Sequence, residues 1–188
     1  GANAGAAVTT GVQNTLIGGL AGDAITTASN NTAVGYKSLT ANTTAANNTA
    51  VGYNSLAANT TGAQNTSTGA ESLEANTTGN FNTAYGYAAL EANTTAANNT
   101  AVGAYAGDAL TTGANNVAIG SGSGSAVTTS SNNTALGYNA LSSNTEASNT
   151  AVGRRAGSSN VTGRYLTAIG DNAGSTQAGV TDDNNTWI

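Results

Sequence analysis

A glycine stands at every seventeenth position of this chain: Gly1, Gly18, Gly35, Gly52, Gly69, Gly86, Gly103, Gly120, Gly137, Gly153 and Gly170, with one step of sixteen before Gly153. Each closes a phrase close to Asn-Asn-Thr-Ala-Val-Gly. Self-similarity at a short fixed period is the signature of stacked repeats. The low complexity and 7% charge would also suit a disordered tract, but such a tract has no reason to hold a register through eleven turns. The register predicts an all-β fold, a parallel β-solenoid or β-roll of about eleven 17-residue turns in one repeat domain, 1–188.

The composition narrows the function. The apolar fraction of 38% is mostly alanine, so a thick core is out of reach, whereas a thin solenoid needs few apolar side chains per turn. No run of about eighteen apolar residues exists, so no membrane span is expected. A net charge of -5 with four basic residues argues against a nucleic-acid partner. Without His or Cys there is no nucleophile–imidazole pair and no disulfide. Neither enzymatic activity nor a cofactor is expected. With no initiator Met and no signal peptide, the chain reads as a processed or excised piece.

One turn can be read from its glycine. The residue before it is usually branched (Ile17, Val34, Val51, Val102, Ile119), the next back is nearly always Ala, and the third back is usually Thr. Thr-Ala-Val reads as a short strand with its branched residue in the core, and the glycine as a corner needing positive φ or close backbone approach. Beyond the corner the turn has two versions. One has Leu four residues on and Asn three later, as in Leu39/Asn42, Leu56/Asn59, Leu73/Asn76, Leu90/Asn93 and Leu141/Asn144. The other has Gly, then a branched apolar residue, as in Gly5/Val8, Gly22/Ile25, Gly107/Leu110 and Gly124/Val127. The swap is compensatory, each turn supplying one sizeable apolar side chain. A Thr-Thr pair follows and reads as a second strand. Asn31, Asn48, Asn65, Asn82, Asn99, Asn116 and Asn133 then form a column expected to hydrogen-bond along the axis as an amide ladder.

These phrases carry a resemblance. Asn115-Asn116-Val117-Ala118-Ile119-Gly120, with the Asn-Asn-Thr-Ala-Val-Gly variants, is similar to the head repeats of trimeric autotransporter adhesins of the YadA-like kind. The longer phrase Asn-Thr-Ala-Val-Gly-Tyr-x-x-Leu-x-x-Asn-Thr-Thr resembles repeats of bacteriophage tail-fibre and surface proteins. The resemblance implies a left-handed parallel β-roll, assembled as a homotrimer and without enzymatic activity.

Candidate sites are few. Tyr36, Tyr53, Tyr87 and Tyr138 each follow a corner glycine, with Tyr105 one place later. They form either an aromatic strip for glycan or surface contact or, by the preferred reading, a stacking ladder or intersubunit seam. Glu74 and Glu91 hold equivalent places in adjacent turns and so lie near each other, with exposed acids on a solvated wall preferred over a paired-carboxylate site. Asp182 and Asp183 are read as part of a loop insertion rather than a cation site, and no metal is expected. Arg154, Arg155 and Arg164 concentrate the positive charge, with solvated charge as the default. Sequons recur at Asn30-Asn31-Thr32, Asn42-Thr43-Thr44 and their equivalents.

The resulting expectation is a structural and adhesive fibre element, extracellular, on a cell surface or in a virion, whose partners are itself and a surface glycan or protein. The chain starts in phase and ends on another Asn-Asn-Thr phrase. It therefore reads as a segment of a longer fibre or as an end-to-end stacking filament subunit. An ice-binding Thr face is a third, weaker alternative.

Overall fold

The computed structural model describes residues 1–175 and 183–188. It is an all-β solenoid in which every turn contributes one short strand to a single sheet: β1 (Thr15–Ile17), β2 (Thr32–Val34), β3 (Thr49–Val51), β4 (Thr66–Thr68), β5 (Thr83–Tyr85) and β6 (Thr100–Val102), then β7 (Val117–Ile119), β8 (Thr134–Leu136), β9 (Thr150–Val152), β10 (Thr167–Ile169) and β11 (Thr186–Trp187). All neighbours pair in parallel, in sequence order, with like residues opposite: Thr32 on Thr49, Ala33 on Ala50, Val34 on Val51. At a strand spacing of about 4.8 Å, eleven strands make a rod on the order of 50 Å long. Among the described residues no helix is long and apolar enough to cross a membrane.

The corner glycine answers two demands at once. Gly52 has φ +142°, and a Cβ there would run into the carbonyl group of Gly69 one turn on. The same clash repeats from Gly18 to Gly153, so any side chain in this column would push adjacent turns apart. That steric requirement is the origin of the seventeen-residue beat.

The strand points the opposite way from its sequence expectation. Ala33, Ala50, Ala101, Ala151 and Ala168 are fully buried, whereas the branched residues before the glycines face out, Ile17 at 57% and Ile169 at 44% exposure. Side chains alternate along a strand, so burying the alanine turns both flanking residues outward. The interior explains the choice. It is already filled by the Leu column (Leu39, Leu56, Leu73, Leu90, Leu141) and by two columns of Asn, leaving width for a methyl group behind the strand.

The two versions of the turn also acquire a cause. The Leu of the first version sits in the left-handed region (Leu39 φ 54°, Leu73 φ 50°), as does the Gly of the second (Gly22 φ 55°, Gly107 φ 57°). That conformation costs a side-chain-bearing residue roughly 1–2 kcal/mol, while burying a Leu contributes about 1.5–3 kcal/mol. The two nearly cancel. Gly is tolerated equally well provided the apolar volume returns three residues later, as it does in the buried Ile25, Leu110 and Val127.

The Thr-Thr segment is not a strand. There, one carbonyl collects several donors from the previous turn: Thr77 O accepts the amides of Thr60 (3.0 Å), Thr61 (3.2 Å) and Gly62 (3.3 Å) together with the Thr60 hydroxyl (3.0 Å). Convergence on a single acceptor bends the chain, whereas a β-ladder distributes its bonds along the strand.

Candidate functional site

Two Asn columns run through the interior, and their bonding differs from a simple amide ladder. In the column expected to form one, each Oδ1 accepts the backbone amide of the Asn one turn later: Asn48 N to Asn31 Oδ1 at 2.9 Å, Asn65 to Asn48 at 2.9 Å, Asn82 to Asn65 at 2.9 Å, Asn99 to Asn82 at 3.0 Å, Asn116 to Asn99 at 2.9 Å and Asn133 to Asn116 at 2.9 Å. Except at Asn133, whose Nδ2 is buried without a partner, each Nδ2 donates to a backbone carbonyl fourteen residues on, in the following turn, as Asn65 does to Gly79 O at 2.8 Å. The side chain-to-side chain ladder lies in the second column, where Asn59, Asn76 and Asn93 donate Nδ2 to Oδ1 of Asn42, Asn59 and Asn76 at 3.1, 2.8 and 2.9 Å. That column belongs to the Leu version of the turn, which was the available clue. The ladder ends where Leu110 takes the next place, leaving Asn93 Oδ1 buried without a partner. These Asn residues are structural.

The buried ladder also sorts the sequons. Asn42, Asn59, Asn76 and Asn93 are fully buried and committed to it, so a glycan there is incompatible with the fold. Asn30 and Asn47, in contrast, are exposed at left-handed corners.

The four tyrosines share one exposed column, at 45–50% exposure, but do not form a continuous strip. Tyr36 and Tyr53 are in adjacent turns and stack, with centroids 6.0 Å apart and planes at 12°. Ala70 interrupts the column, so Tyr87 turns instead to Tyr105 in an edge-to-face contact at 5.1 Å. Tyr138 stands three turns beyond Tyr87 and has no ring partner among the described residues. Lys37 Nζ lies 5.5 Å from the Tyr36 ring.

Beside Tyr87 is a cluster of carboxylates, the one group of three among the described residues. Glu74 and Glu91 are brought together as expected, and Glu71, which sequence reasoning missed, joins them so that one oxygen of each lies within 4.8 Å of the others. Asp108 extends the same column into the next turn, and Asn54 Nδ2 donates to Glu74 Oε1 at 3.0 Å. Reading that column through one more turn would have found Asp108. Partial burial, then the charges of Glu71, Glu74 and Asp108, raise the Glu91 pKa above the ordinary carboxylate range. Burial raises Asp108 too, against two backbone amides that lower it. The Glu71 carboxylate accepts from the Tyr87 hydroxyl and pushes the Tyr87 pKa up to about 12. These carboxylates are hard oxygen donors of the kind that hold a divalent cation. They are partly exposed, and acids in that position are ordinary on a surface, so the cluster alone does not define a metal centre.

The basic residues behave as solvated charge. Arg154 pairs with Asp171 at 2.9 Å and Arg164 with Glu146 at 2.7 Å, each across one turn. Arg155 borders a polar groove with Asn139, Ser142 and Asn172. Asp182 lies outside the described residues, while Asp183 accepts the Arg164 amide at 3.0 Å. No family model matches the chain, and neither curated proteins nor solved structures yield a similar protein.

Proposed function

We propose that the chain is a rigid structural and adhesive element of an extracellular or virion fibre, attaching by many weak contacts rather than through one strong site. The observation that carries this reading is the strict register of the solenoid, which holds like side chains in outward columns at one strand spacing. Such a rod raises avidity because each contact after the first is intramolecular. Tyr36, Tyr53, Tyr87 and Tyr138 are the contacts assigned to a surface glycan or protein, since an exposed Tyr offers rigid amphipathic area at low entropic cost. The similarity of the Asn-Thr-Ala-Val-Gly phrases to adhesin-head and tail-fibre repeats supports the same reading. No catalytic step is assigned.

The test is binding of the full chain to glycan-coated and cell-derived surfaces, with the four tyrosines replaced by Ala one after another. Retention should fall by a similar factor at each replacement. Absence of binding on all surfaces, or loss produced by one tyrosine alone, would contradict a multivalent rod.

A further inference from the structure

Three left-handed corners, Asn139 (φ 53°), Arg155 (φ 55°) and Asn172 (φ 57°), stack in consecutive turns near the C-terminal end of the rod. A serine stands three residues beyond each of them, and the two columns line a groove of about 330 Å³: Asn139, Ser142, Arg155, Ser158, Asn172 and Ser175. That volume is at the lower end of small-molecule sites, roughly 300–1,000 Å³, which are lined mainly by apolar side chains. Here no lining side chain is apolar, so the matching ligand is itself rich in hydroxyl groups.

Arg155 is the single charge in the lining. Arg154 and Arg164 are paired, but the exposed Arg155 guanidinium has no ion-pair or hydrogen-bond partner among the described residues. Asp171, next to Asn172, is already held by Arg154 at 2.9 Å and by Asn172 Nδ2 at 3.1 Å. Tyr138 is fixed beside the groove, because its carbonyl accepts the Arg155 amide at 2.8 Å. Its ring is 49% exposed and free of ring partners among the described residues. Three to five turns earlier the same two columns carry Glu71, Glu74, Glu91 and Asp108 instead. Three turns at about 4.8 Å separate even Asp108 from the level of Arg155 by more than a Debye length of about 8 Å. Those acids therefore leave the Arg155 charge uncancelled while turning an anion away from the middle of the rod.

We infer that this groove is a subsite for an anionic sugar, a saccharide unit that bears a carboxylate or a sulfate. The Arg155 guanidinium takes the acid group in a two-bond fork. The Ser and Asn side chains take the ring hydroxyls, and the Tyr138 ring covers the apolar face of the sugar. The inference rests on the attachment reading above and narrows its glycan to a charged one.

The experiment is titration calorimetry of the full chain with three tetrasaccharides: one of galacturonate, one sulfated and heparin-derived, and one neutral and galactose-based. A charged tetrasaccharide should bind about tenfold or more tightly than the neutral one, and the better of the two names the acid group. Arg155→Asn installs the residue that both neighbouring turns carry at the same corner, so the fold should persist by circular dichroism while the preference disappears. Arg155→Lys keeps the charge but not the fork and should fall between. Arg164→Asn, an equal change of net charge outside the groove, should keep the full preference. Tyr138→Ala should weaken all three ligands by a similar factor. Failure of both charged ligands to bind, or affinity equal to that of the neutral one, would overturn the inference. So would a preference retained in folded Arg155→Asn or lost equally in Arg164→Asn. Inorganic sulfate binding as tightly as the sulfated tetrasaccharide would reduce the groove to a bare anion site and overturn it too. Surface retention that depends on the tyrosines without preference for charged sugars would overturn the subsite and leave the attachment reading standing. Charged-sugar binding through Arg155 with no retention on any surface would do the reverse.

Discussion

Leu90 and Asn93 show at residue scale how this chain balances strain against burial. Leu90 is held at φ 53° and is nearly fully buried, and the Asn93 carbonyl oxygen is orphaned beneath Leu110. Leu90→Gly alone removes core volume but relieves the left-handed strain, so the expected cost is about 1–3 kcal/mol. Asn93→Leu alone puts two large side chains into one layer and is expected to cost about 1–3 kcal/mol. The double variant recreates the pattern of Gly107/Leu110 and moves the end of the Asn ladder back to Asn76, whose Oδ1 loses the Asn93 donor. Denaturant unfolding should find it far more stable than the sum of the singles, with a coupling of about 1–3 kcal/mol. Additive losses would mean that the two versions of the turn do not exchange the same volume. The compensation was legible from the sequence alone. Its reason, a backbone that must be left-handed at that place, was not, because Leu is not a residue that advertises positive φ.

At the scale of the element, the strand was placed correctly and oriented wrongly. Hydrophobicity favours Val inside and Ala outside, but the interior behind the strand is too narrow for anything beyond a methyl group where Leu and Asn already fill it. No single turn reveals this, since the width is set by side chains five to seven residues away. The Asn column was likewise legible as a structural ladder but not in its bonding, which depends on which carbonyl of the following turn each Nδ2 meets. The one short turn confirms that dependence. Between Gly137 and Gly153 the step is sixteen, and Asn133 is the member of its column whose Nδ2 is left buried without a partner. Here Ala147 and Ser148 follow Glu146, where a full turn has Ala45, Ala46 and Asn47 after Thr44. Inserting one Ala between Ala147 and Ser148 should restore the missing Nδ2-to-carbonyl bond and raise stability by about 1–3 kcal/mol. A fall in thermal midpoint on insertion would show that the short corner is adapted as it stands.

Over the whole molecule, charge is unevenly placed and has a consequence for pH. Glu91 and Asp108 both have raised pKa values in the folded state. The folded chain therefore binds protons more tightly than the unfolded one between the ordinary carboxylate pKa and the raised values. The associated stability is fully present below the ordinary value and is lost as pH rises through the raised ones. Thermal midpoints should climb on mild acidification from neutral pH, and Glu91→Gln should raise the midpoint at neutral pH and flatten that dependence. A midpoint that drops on the same acidification would contradict the crowding of these carboxylates.

The rod itself was legible from the glycine beat, while the grouping of Glu71 with Glu74 and Glu91 was not, because it joins two columns whose separation depends on left-handed corners. The central structural claim is that each seventeen residues advance the chain by one strand spacing. Pulsed electron-spin resonance between labels on Thr27→Cys and Thr129→Cys, in labelled chain diluted with unlabelled, tests it directly. Six turns at about 4.8 Å place the labelled positions about 29 Å apart. A narrow distribution centred near that distance is the expected result, and a broad or much longer one would contradict the stacked solenoid.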